Sequence, residues 1–230
     1  MKKITASACI VWPQGMSIKE FREYAYRQIE MAGRTCYKSD TDTNITECER
    51  FVRQIVRAGH GAMMEHVSLT VIFTVDRGIT HELVRHRMAS FAQESTRYCN
   101  YSGNKFGNAV TFIDLRPGME IDPKTSALSA GDFEAIYDEW IAACEDAERH
   151  YMAMLKRGAT PQIARSVLPN SVKSEIVVTA NIREWRHILS LRALGTTGAP
   201  HPQMKEIMIS LLGRLTHLLP ACFDDLAIEQ

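Results

Sequence analysis

The sequence predicts an α+β fold, a single domain over residues 1–230 in which a small, mostly antiparallel sheet is flanked by helices. Three observations carry that expectation. Residues 67–75 alternate apolar and polar side chains as a half-buried strand does, and few other segments read as strands. Several longer segments carry apolar residues at helical spacing behind capping residues. Finally, 230 residues with 45% apolar and 23% charged composition suffice for one sizeable core, and no repeat, low-complexity tract or linker divides them.

The elements follow in order. The start faintly resembles a signal peptide, but Thr5 and Ser7 interrupt its apolar run and Pro13 ends it, so 4–12 is expected as a first strand. Ser17-Ile18-Lys19-Glu20 is a capping box ahead of Phe21, Ala25, Ile29 and Ala32, with Gly33 expected to end that helix. Thr46-Glu47-Cys48-Glu49 repeats the signal before the stripe Phe51, Val52, Ile55 and Val56, Gly59 being the left-handed stop. In the strand over 67–75, Val67, Leu69, Val71, Phe73 and Val75 share one face, and Ser68, Thr70 and Thr74 the other. Asp76-Arg77-Gly78 turns into a short helix over 79–87, and 90–107, rich in Ser, Asn, Gly and Tyr, reads as a long loop of the kind that often carries function. A strand is expected over 110–115, a long amphipathic helix over 132–156, and a short helix opened by Thr160-Pro161 and running through Arg165. A strand over 176–182 leads into a helix over 183–194 closed by Gly195. Pro202 opens the last helix, where Ile207, Leu211, Leu212, Leu215 and Leu218 supply core.

Composition narrows the function classes. Lys plus Arg and Asp plus Glu are 27 each, so no net charge draws the chain to a polyanion, and nucleic acid is not expected as the main partner. Six cysteines without a C-x-x-C pair fit reduced thiols and a cytoplasmic location. No run approaches the roughly 18 apolar residues of a membrane helix, so no membrane partner is expected.

His81-Glu82-Leu83-Val84-Arg85-His86 superficially resembles the H-E-x-x-H zinc motif, but the second histidine comes one residue late. At about 100° per residue, one helix would hold the two imidazoles some 140° apart, and no metal is expected. The denser signal is the segment 85–98, with Arg85, His86, Arg87 and Arg97. Guanidinium forks bind phosphate through paired, charge-assisted hydrogen bonds, and Gln93, Ser95 and backbone amides could fill the remaining acceptor positions. The bland reading, a solvated cluster of arginines beside Glu82 and Glu94, stands beside it.

Arg85, His86 and Arg87 followed by seven residues and Ser95 spell R-H-R-x7-S, with Arg97-Tyr98 just beyond. In this the chain resembles the flavin-dependent thymidylate synthases. The blocks Gly59-His60, Glu65-His66, Ala164-Arg165 through Leu168-Pro169, Asn181-Ile182-Arg183 and Leu191-Arg192 extend the resemblance over about 31–219. It implies a homotetramer whose four sites lie at subunit interfaces, each taking FAD, dUMP and 5,10-methylenetetrahydrofolate, with NADPH as reductant and dTMP as product. On the same basis Glu82, Leu83, Val84, Arg85, Gln93, Glu94, Ser95, Thr96, Arg97, Arg165 and Arg192 would bind dUMP. Arg85, His86, Arg87, Gln93, Asn181, Ile182, Arg183 and His187 would bind FAD, with His60 and Glu65 as further candidates. Ala92, Gln93 and Ala62 depart from residues common in the family, and His187 replaces an Asn found in some relatives.

Methylating C5 of a uracil requires an electron-rich ring, and a fixed guanidinium at O2 and N3 stabilises the developing charge, the catalytic role implied for Arg192. The competing role for Arg192, complementing a helix C-terminus, is worth only about 0.3–1 kcal/mol. Reducing the transferred carbon needs a hydride that no side chain supplies, which fits a flavin. Cys99 is the one thiol near the cluster and is expected to be structural, while Ser95, with no dedicated base, reads as a ligand. The alternative from another class is a non-catalytic protein that binds or senses nucleotide phosphate through Arg97 and Arg165.

Overall fold

The computed structural model describes residues 1–13, 15–39 and 43–226. Its chain gathers into two compact units: Met1–Ala8, Ile72–His86 and Phe91–Val177 in the first, and Cys9–Val71, Arg87–Ser90 and Val178–Gln230 in the second. The strands are β1 (Lys2–Ile4), β2 (Ser7–Val11), β3 (Ser68–Asp76), β4 (Ser90–Gln93), β5 (Thr111–Ile113) and β6 (Lys173–Asn181). The four-stranded sheet has the order β2-β3-β6-β4, and β1 pairs with β5 in parallel, Lys2 opposite Thr111. Along β3 and β6 one index rises as the other falls. Ile182 N donates to Val67 O at 2.9 Å, the Thr70 and Thr179 hydroxyls meet at 2.9 Å, and Arg77 N donates to Val172 O at 3.2 Å, which makes this pair antiparallel.

In the first unit, β1 and β5 lie with the helices α3 (Arg77–Leu83), α4 (Arg116–Ile121), α5 (Ala130–Lys156) and α6 (Pro161–Ala164). Tyr101, Val110, Phe112, Cys144, Tyr151, Ala164 and Val172 form its buried cluster. Each large apolar side chain so buried contributes about 1.5–3 kcal/mol. Burial pushes the Cys144 thiol up to about 11, leaving it an inert core residue. Tyr151 OH accepts from Tyr101 N at 3.3 Å, tying α5 to the loop that follows Arg97.

The second unit holds α1 (Ile18–Tyr37), α2 (Ile45–Arg57), α7 (Ile182–Arg192), α8 (Pro202–Leu218) and α9 (Pro220–Phe223). The α1 capping box forms as expected, Glu20 N donating to Ser17 Oγ at 3.2 Å and Ser17 N to Glu20 Oε2 at 2.7 Å. Gly33 does not stop this helix, which ends one turn later at Lys38 in the left-handed conformation (φ 49°). A Cβ on Gly33 would lie 2.8 Å from the Phe51 ring, so the glycine serves the close approach of α2. That second helix is capped two residues before the expected site, by Asn44 with Glu47. Gly59 is left-handed (φ 70°) as read, with His60 N bonded back to Ile55 O at 3.0 Å.

Other boundaries move for physical reasons. The first strand divides into β1 and β2, so 4–12 is not one element. Asp76 accepts from Ile79 N at 2.7 Å and starts α3 at Arg77, while the helix stops at Leu83 rather than Arg87. Within the expected loop 90–107 lies β4, four residues too short to show a period. Helix α4 carries no capping side chain and was not legible at all.

Candidate functional site

The basic triplet is set by tight turns after α3. Arg85 N donates to Glu82 O at 3.2 Å and His86 N to Leu83 O at 3.1 Å, which leaves Arg85 and Arg87 exposed and His86 buried at 5% exposure. His81 is on the helix and His86 beyond it. Among the described residues no group of three or more His, Cys, Asp or Glu could hold a metal ion. Leu83 is core, whereas Val84 is 40% exposed.

In the first unit, the motif's second half is pinned from both ends. Gln93 Nε2 donates to Thr80 Oγ1 at 2.9 Å and Ser174 Oγ at 3.0 Å, so its amide nitrogen already serves α3 and β6. Glu94 is an internal anchor: Oε2 accepts from Lys173 Nζ at 2.9 Å and Glu175 N at 3.2 Å, and Oε1 from Tyr101 OH at 3.3 Å. Burial pulls the Lys173 ammonium down, but its bonds to Glu175 and Glu94 outweigh that and hold it above the usual lysine range. Ser95 O accepts from both Tyr98 N and Cys99 N, closing a tight turn around Thr96 and Arg97.

That turn meets the second arginine. Thr96, 3% exposed, accepts from Arg165 Nη1 at 3.0 Å, and Arg165 opens the 3-10 turn Arg165–Val167 after α6. Arg97 is exposed and lies over the Tyr98 ring at 5.4 Å. One buried hydroxyl thus fixes a guanidinium beside the turn that carries another, an arrangement suited to forked recognition of a phosphate. Cys99 lacks the setting of a nucleophile, since burial and then the Glu94 charge push its thiol up.

The second unit holds a cleft of about 400 Å³ lined by Glu65, Met88, Asn181, Arg183, Glu184 and His187. Asn181 caps α7, its side-chain oxygen accepting from Glu184 N at 2.9 Å. Helical spacing then brings Glu184 and His187 to the same wall. Ile182, fully buried with its amide on Val67 O, sets the helix start. Arg183 Nη1 reaches Glu65 Oε1 at 2.6 Å over Gly61, where a Cβ would lie 2.8 Å from Arg183 Nε. His60 is exposed at the entry of the 3-10 segment Gly61–His66, with no side-chain cap bond. Arg192 ends α7, where a cation complements the helix C-terminus.

Comparison with known proteins decides what this combination is. A family described as thymidylate synthase complementing protein matches residues 20–221. The flavin-dependent thymidylate synthase of Mycobacterium avium is 33% identical over 207 residues, covering 87% of this chain and 79% of that protein. The chain belongs to the flavin-dependent thymidylate synthase family. A second such enzyme, from Corynebacterium efficiens, is 34% identical over 208 residues with the same coverage. Among solved structures, the UMP/dUMP methylase PolB of Streptomyces cacaoi, bound with 5-Br dUMP, has a TM-score of 0.76 at 23% identity, covering 97% of this chain and 96% of that one. That likeness is one of fold.

Membership in the flavin-dependent thymidylate synthases makes the chain an enzyme with a flavin cofactor. The cleft's donor set fits such a group: a guanidinium for phosphate oxygens, a carboxamide and an imidazole for ring polar atoms, and the Met88 thioether, 72% exposed, for an apolar face. The sequence alone does not single out Met88, Glu184 or Lys173. Met88 sits in the unspecified spacer of the motif, Glu184 reads as an ordinary first-turn acid, and the role of Lys173 depends on Glu94, 79 positions away.

Proposed function

We propose that the chain acts as one domain over 1–230 within a homotetramer and converts dUMP to dTMP. FAD is its cofactor, 5,10-methylenetetrahydrofolate the carbon donor and NADPH the reductant, with tetrahydrofolate released. The observation that carries this reading is the pairing of Arg165 with buried Thr96, the residue directly after the R-H-R-x7-S segment. It supports the reading because a guanidinium already fixed in position loses little freedom on binding a phosphate.

In this reading Arg97 and Arg165 hold the dUMP phosphate, with Ser95 and backbone amides of the turn completing its shell. Glu94 acts through position, its carboxylate fixing the loop while its neighbours face the ligand. The role assigned to Arg192 is to stabilise charge on O2 and N3 of the uracil as C5 becomes nucleophilic. Asn181, Arg183 and His187 would hold the FAD, which when bound supplies the hydride for reducing the transferred carbon. Arg85 and Arg87 extend into solvent from their turns, free to reach a ligand or a neighbouring subunit.

Large apolar side chains exposed around these residues support the assembly. Tyr98 is 78% exposed, and Ile163 and Val167, which flank Arg165, are 58% and 38% exposed. Exposed apolar groups beside a charged site are suited to cover by a second copy. No described helix is long and apolar enough to cross a membrane, and the reading places the enzyme in the cytoplasm.

Tritium release from C5-labelled dUMP, with and without FAD and NADPH, tests the reading directly. Release that requires FAD is expected. Colourless protein that binds dUMP but releases no tritium under any of these conditions would instead favour the nucleotide-binding alternative.

A further inference from the structure

The cleft proposed for FAD contains an electrostatic conflict. A dinucleotide pyrophosphate drawn to Arg183 must enter a space that two carboxylates, Glu65 and Glu184, also line. Glu65 escapes easily: its side chain is 43% exposed and can swing into water when Arg183 releases it. Glu184 is far less open to water: it is 8% exposed, and its backbone is held in the first turn of α7 by the Asn181 cap. A mostly buried carboxylate on the wall of the cleft relieves repulsion from an arriving anion by becoming neutral.

We propose that Glu184 is the proton-accepting group of this cleft, converted from carboxylate to carboxylic acid by one proton from solvent as an anionic cofactor settles against Arg183. The proposal rests on the reading of the cleft as the FAD site. No bond other than O–H is made, and the proton's source is bulk water. The other titratable or charged groups on the cleft's elements are Arg183, Arg186, His187 and Arg192 on α7, Glu65 and His66 on the 3-10 segment packed against it, His60 at that segment's entry, and Arg87 beside Met88. Helix α8, which also packs on α7, carries Lys205, Glu206, Arg214 and His217. Burial already lifts the Glu184 carboxyl above its ordinary range, and the His187 charge opposes that lift, so the group is poised to take a proton.

The sign follows from linkage. If the bound state holds one more proton than the free state, affinity rises as pH falls, by at most about tenfold per pH unit. Calorimetric titration of flavin-free protein with FAD, repeated in buffers of different ionisation enthalpy, counts the protons taken up. Net uptake is expected with FAD and less with riboflavin, which has no phosphate. For wild type, FAD affinity should tighten several-fold from about pH 8 to about pH 6. In Glu184→Gln the uptake should vanish and the affinity become flat with pH. In His187→Asn the uptake should begin at higher pH, because the charge that favours the carboxylate is gone.

Binding of FAD without proton uptake, or uptake undiminished in folded Glu184→Gln, overturns the proposal while leaving the FAD site intact. Absence of any FAD binding overturns the functional reading itself, and this proposal with it. Should Glu184→Gln fail to fold, the His187→Asn profile decides, and a profile identical to wild type sinks the idea.

Discussion

Arg183 Nη1 lies 2.6 Å from Glu65 Oε1, and the missing side chain of Gly61 makes the room for it. Gly61 is not among the residues with positive φ, so its role is one of space, not of backbone conformation. In Gly61→Ala the new methyl would sit 2.8 Å from Arg183 Nε and displace the guanidinium. That group is the end of a flexible, exposed side chain, so stability should change by less than about 1 kcal/mol. Flavin affinity, read by quenching of FAD fluorescence, should fall about tenfold, as expected for a lost charge-assisted hydrogen bond. Unchanged affinity would remove Arg183 from the flavin site.

Glu94 joins three donors, Lys173 Nζ, Glu175 N and Tyr101 OH, on one partly buried carboxylate. Glu94→Gln keeps the shape but weakens its bond to the ammonium and can leave one donor without an acceptor. A stability loss of about 1–3 kcal/mol is expected by urea denaturation. If Glu94 only positions the loop, kcat should hold while the KM for dUMP rises. A collapse of kcat with unchanged KM would give it a direct chemical role instead.

Which parts of this were legible in the sequence depends on whether the signal was local. Ser17 with Glu20, the alternation from Leu69 to Val75, and Gly59 each announce themselves within a few residues, and the structure carries all three. Gly33 misled because a glycine required for close packing looks, in one dimension, like a helix stop. Strand β4 was hidden because its partner lies some 80 positions away, where Glu94 N meets Glu175 O at 2.8 Å. The same holds for the site: R-H-R-x7-S is readable as a string, whereas the dependence of Arg165 on Thr96 appears only once the chain is folded.

The arginines proposed to act on dUMP should separate by kinetic signature. Arg192→Ala should keep the flavin colour and lose at least about a hundredfold in turnover, the usual scale for removing a group that stabilises developing charge. Near-normal turnover would reduce Arg192 to its place at the end of α7. Arg97→Lys exchanges a fork for a point charge and should weaken dUMP binding by about 1.5–3 kcal/mol. Equal dUMP affinity in the two proteins would contradict a phosphate contact at this residue.

Glu30 shows how the fold itself should respond to acid. It is 2% exposed on α1. Burial pushes its carboxyl up, but hydrogen bonds from Thr43, Arg34 and Cys48 outweigh this and hold it below the ordinary carboxylate range. A carboxyl depressed in the folded state adds stability that is fully present above its unfolded pKa and is lost as pH falls through the folded one. Wild type should therefore weaken steadily below about pH 4.5. Glu30→Gln should be less stable at neutral pH and show a flatter acid limb. Urea midpoints measured across that window give the comparison, and parallel curves would mean that other groups carry the acid response.

Gly33→Ala sets two known effects against each other at one position. Replacing glycine by alanine inside a helix favours folding by about 1 kcal/mol, and α1 runs on through Gly33 to Tyr37. Against this, the added methyl would lie 2.8 Å from two carbons of the Phe51 ring. That ring cannot simply rotate away, because the Arg34 guanidinium lies over it at 4.8 Å and α2 holds its backbone. Overpacking of this kind costs about 1–3 kcal/mol, so the crowding should win and leave the variant less stable by up to about 2 kcal/mol. A thermal melt reads the sign directly. A rise in melting temperature would mean that Phe51 yields freely, and the close approach of α1 and α2 would then need another cause.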